Sequence, residues 1–71
     1  MANKQANRTL FHDKQPTDNV TFGGVTYRID VDRLDGDTNH DGRAITENTV
    51  RLAPTDRGGK LTGAFETFDL I

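Results

Sequence analysis

The run from Val20 to Val31 leaves this chain little choice of local structure. Val25, Tyr27, Ile29 and Val31 alternate with Thr26, Arg28, Asp30 and Asp32. A period of two puts one set on one face of a strand and the other set on the opposite face. Val20-Thr21-Phe22 stands just ahead, across Gly23-Gly24. Two glycines can both take the positive φ angles that a two-residue hairpin turn demands. In that register Phe22 faces Val25 and Val20 faces Tyr27 on one side, while Thr21 faces Thr26 on the other. The pattern predicts a β-hairpin with one buried face and one wet face.

The remaining segments are read against this hairpin. Residues 1–19 hold no sustained apolar period; Leu10 and Phe11 stand alone, and Pro16-Thr17-Asp18-Asn19 reads as a turn. The expectation is an extended N-terminal arm over 1–19, with a small β-domain over 20–71. Asp35 to Gly42 reads as a loop with two Asp-Gly pairs. Residues 44–53 return as a strand with Val50 and Leu52 inward, a short helix from Thr46 being the alternative. Pro54 to Lys60 is a second loop. Residues 61–71 fit a strand through Ala64, Phe68 and Leu70, or a helix through Leu61, Phe65 and Phe68. Ten threonines favour the strand, because β-branched side chains pack well on a pleated surface. The expected fold class is all-β: a small antiparallel sheet, sandwich or open barrel of four to five short strands.

Size then limits stability. Leu, Ile, Val and Phe number 16 of 71 residues. A chain of this length buries only about 60% of its unfolded surface. With no cysteine, disulfides and thiolate zinc sites are excluded. A bound ion, self-association or docking on a partner would supply the rest. The polar start and the lack of a long apolar run predict synthesis in the cytoplasm, with neither signal peptide nor membrane span.

Asp37-Thr38-Asn39-His40-Asp41-Gly42 is the one stretch with metal-site spacing. Its oxygens fall at alternate positions before a glycine, as in the first half of a helix–loop–helix calcium site. The second half fails: Ala44 stands where an aliphatic residue belongs, and Asn48 where a bidentate Glu belongs. A looser calcium loop through Asp35, Asp37, Asn39 and Asp41 is the minor reading. A turn held by Asx hydrogen bonds is the main one, with no cofactor expected.

Other chemistry finds little support. There is no serine and no cysteine, so the commonest nucleophiles are absent. His12 beside Asp13 and His40 in the acidic loop read as exposed polar residues rather than general bases. Gly58-Gly59-Lys60 lacks the upstream glycine and following Ser or Thr of a P-loop. Net charge is −2, and no basic stripe with stacking aromatics appears, which disfavours nucleic acid. Charge is uneven: residues 29–48 hold six acids against Arg33 and Arg43, and residues 1–28 hold four bases against two acids. That division suits contact between copies or with a charged partner.

These observations predict a non-enzymatic structural or interaction protein. It would act in several copies within a larger protein assembly, of the virion or capsid-associated type. Leu10, Phe11, Leu70 and Ile71 are the candidate partner-binding residues. A calcium-stabilised binding module and a small inhibitor of a host enzyme are the alternatives.

Overall fold

A computed structural model describes residues 4–33 and 42–71. One curled five-stranded sheet organises them. The strands are β1 (Gln5–Ala6), β2 (Asn19–Phe22), β3 (Val25–Ile29), β4 (Thr49–Thr55) and β5 (Glu66–Leu70), in the order β1-β5-β4-β3-β2. A single 3₁₀ turn, Arg8–Phe11, follows β1.

The hairpin forms in the register the alternation implies. Phe22 pairs with Val25, Thr21 with Thr26 and Val20 with Tyr27. Gly23 and Gly24 have φ of 61° and 78°, the two positive values of a type I′ turn, whose twist matches the strands it joins. Across the wet face the Thr21 and Thr26 hydroxyls lie 2.8 Å apart. On the core face Phe22 stacks on Tyr27 at 4.7 Å, and Phe68 meets the Tyr27 ring edge-on at 5.5 Å.

The alternation stops burying side chains at both ends of β3. Val25 and Val31 are exposed. The expected inward Val31 fails because the strand ends at Ile29 and Asp30 takes the interior place. One oxygen of Asp30 accepts from the Val31 amide, and the other meets Arg51 Nε at 3.2 Å. A buried carboxylate with a cation and an N–H donor is tolerated where a bare one is not.

β4 carries the centre of the core. Val50 and Leu52 are fully buried with Ile29, and Phe11, Val20, Ala44 and Phe68 surround them. The helix alternative at Thr46 does not form. Thr46 N–H donates to Thr49 O, and the Thr46 hydroxyl accepts from the Asn48 and Thr49 amides, so the chain reverses tightly and pairs Ile45 with Val50. Pro54, read as a loop residue, lies inside β4 opposite Tyr27. Its carbonyl accepts from Thr62 N–H, on the side away from β3. A residue's N–H and C=O share one side of a strand, so the missing proline N–H removes no bond to β3. Residues 61–71 settle as a loop and then a strand, with Phe68 buried opposite Val50.

The segment read as an arm runs along the chain's own sheet. β1 pairs parallel with β5, making the sheet mixed rather than wholly antiparallel. Asp69 N–H donates to Lys4 O, Ile71 N–H to Ala6 O and Arg8 N–H to Ile71 O, all within 2.9 Å. A two-residue strand held by main-chain bonds has no side-chain period to betray it. The turn that follows is capped by Asn7, whose Oδ1 accepts from Thr9 N–H and Oγ1.

Candidate functional site

Three of the four residues read as partner anchors belong to one core or pack against it. Phe11 is buried, and Leu10 and Leu70 are half-buried against the same core. Ile71 is 62% exposed beside them. Phe11 and Leu10 therefore anchor the chain to itself first.

A cleft of about 140 Å³ opens where the 3₁₀ turn, the Ile45–Glu47 reversal and the end of β5 converge. Phe11, Ile45 and Leu70 form its apolar walls, with Arg8, His12 and Glu47 among its polar ones. A cavity of roughly 150 Å³ holds a benzene-sized group, so this cleft suits one apolar side chain. Its walls come from distant parts of the chain, and Arg8 ties them together. Arg8 Nη1 donates to Glu47 O at 2.9 Å and Nη2 to Leu70 O at 3.3 Å. The guanidinium fork is preorganised for such paired contacts.

Arg8, Ile45, Thr46 and Glu47 were not legible as site residues. The Arg8–Glu47 contact spans 39 positions, and no local pattern announces it. The Thr46–Thr49 reversal is the one local signal, since threonine hydroxyls can hold a tight turn.

The candidate calcium ligands Asp35, Asp37, Asn39 and Asp41 lie outside the described residues. Among the described residues nearest to them, Arg33 and Gly42 pair through their main chains, and Asp32 Oδ1 accepts from Ala44 N–H at 2.7 Å. Among the described residues no three His, Cys, Asp or Glu side chains group as a metal site. No helix among them is long and apolar enough to cross a membrane.

The sheet's two edges differ. At the β1 edge Lys4 bonds Glu66 at 2.9 Å, and its ammonium sits 5.7 Å from the Phe68 ring centre. The hydrogen bond that Lys4 donates to Glu66, then the Glu66 charge, holds the Lys4 pKa above 10.5. The β2 edge is Asn19-Val20-Thr21-Phe22, with no charged residue.

No protein-family model, curated protein or solved structure matches this chain.

Proposed function

We propose that this chain is a non-enzymatic structural and interaction protein. It is a small β-domain that works in several copies within a larger protein assembly of the virion or capsid-associated kind. The cleft at the end of β5 is the observation that carries the reading. It joins a hole sized for one apolar side chain to an exposed apolar residue, Ile71, on the same strand end. A neighbouring subunit could fill the first and cover the second. On this reading the protein is made in the cytoplasm, its partners are other protein subunits, and no cofactor takes part.

Cross-linking of the native complex tests this. Lys14 follows the 3₁₀ turn closely, and cross-links from it to a neighbouring subunit are expected. Ile71→Asp leaves the buried core untouched and should release the chain from the complex. Recovery of the wild-type chain from its source as a 7.9 kDa monomer without any associated subunit would refute the reading.

A further inference from the structure

β2 forms the edge of the sheet opposite β1. Natural sheets blunt an edge with lysine, proline, a bulge or very short length. The β1 edge is two residues long, with Lys4 and Arg8 flanking it. β2 is also short, at four residues, and a bulge at Thr17–Asp18 opposite Ile29 precedes it, but none of Asn-Val-Thr-Phe carries a charge and none is proline.

Hairpin geometry says which of its groups point outward. The pair that closes a two-residue turn exchanges both hydrogen bonds, and bonded and non-bonded pairs then alternate. Phe22–Val25 and Val20–Tyr27 are thus bonded pairs. Ile29 N–H donating to Asp18 O continues the series at the next bonded position. Asn19 and Thr21 fall between, so their N–H and C=O groups face away from β3.

A second β2 strand fits these groups. Asn19-Val20-Thr21 reads polar, apolar, polar in either direction. An antiparallel copy centred on Val20 therefore matches core face to core face and wet face to wet face. Asn19 lies opposite the copy's Thr21, and each such pair exchanges two main-chain bonds. The Asn19 amide group comes alongside the copy's Thr21 hydroxyl. Charge does not oppose this register. Asp18 lies opposite the copy's Phe22, which leaves the two Asp18 residues about 13 Å apart along the strands, beyond the Debye length of about 8 Å at physiological salt.

We infer that β2 pairs antiparallel with β2 of a second copy about a two-fold axis at Val20, joining two sheets into one. Such an interface is isologous and closed. It deepens the reading that the chain works in copies and rests on it. It lies on the edge opposite β1, and so leaves the β5 cleft to a different neighbour.

Sedimentation and amide hydrogen exchange, followed from micromolar to millimolar protein, test the inference. The average mass should climb from 7.9 kDa towards twice that value. The Asn19 and Thr21 amides should slow in step with it, while the Val20 and Phe22 amides stay slow throughout. Thr21→Pro removes an outward N–H and no ladder bond to β3, so it should abolish the rise in mass. Thr21→Lys should weaken association as well, without straining the backbone. If the mass climbs while Asn19 and Thr21 exchange rapidly, copies meet elsewhere; this inference falls and the assembly reading stands. A chain that stays at 7.9 kDa at every concentration overturns the inference directly.

Discussion

Phe11→Ala separates two roles for the N-terminal segment. If Phe11 were an anchor waiting for a partner, its loss would weaken binding and leave the isolated fold alone. Exposed substitutions of that kind stay within about 0.5 kcal/mol. The structure assigns it the other role. Phe11 is 5% exposed and belongs to the cluster of Val20, Ile29, Val50, Leu52 and Phe68. Burying such a ring contributes about 1.5–3 kcal/mol from transfer alone. The cavity left behind brings the usual loss for Phe→Ala to about 3–5 kcal/mol. A chain of 71 residues has on the order of 4–10 kcal/mol in total. The variant should therefore lose about a third of its stability or more. For a domain of this size 3 kcal/mol corresponds to at least about 12 °C in Tm. Urea unfolding is the suitable assay, because an unchanged m-value shows that the same surface is exposed in both proteins. A loss below about 1 kcal/mol at constant m would refute the placement of Phe11 in the core, and with it the docking of residues 4–11.

Three further outcomes follow from single contacts. Thr17 has φ of 73° in the turn closed by Asp18 N–H to Gln15 O, a conformation that costs a β-branched residue about 1–2 kcal/mol; Thr17→Gly should raise stability by about 0.5–1 kcal/mol after the glycine's greater unfolded-state entropy is subtracted, and a lower urea midpoint would contradict this. Glu66→Gln should return the Lys4 pKa towards 10.5 in an NMR titration. Because that pKa is raised in the folded protein, the pair's small contribution is present at neutral pH and lost only as pH rises through the Lys4 value; a wild-type Tm that falls between pH 7 and 9 through Lys4 would count against it. Millimolar calcium should leave Tm unchanged, since the sequence beyond Gly42 lacks the bidentate Glu of a helix–loop–helix site; a rise that Asp41→Ala abolishes would instead establish a metal loop by mass action.

The hairpin was fully legible in the residues, because every determinant of it is local. Alternation over Val20–Ile29 sets the faces, and Gly23-Gly24 sets the turn and hence the register. Val50 and Leu52 were legible as core for the same reason, and both are fully buried. Pattern alone lost Val31 and Asp30, because alternation does not reveal where a strand ends. It also lost Pro54, which is harmless in β4 only because Pro54 faces Thr62 rather than β3.

The sequence by itself determined the class of fold and the hairpin at its heart, through rules that reach only a few residues. Tertiary structure decided the rest. Residues 4–11 become part of the domain through bonds to Asp69, Ile71 and Leu70, more than 60 positions away, and the cleft exists because Arg8 reaches across to Glu47. Main-chain hydrogen bonds of this kind depend on where backbones meet, and side-chain patterns carry almost no record of that. Leu10 and Phe11 could be read as anchors from their isolation in a polar segment. That they anchor the chain to its own core, and leave Ile71 and the β2 edge facing outward, was settled only when the two ends of the chain came together.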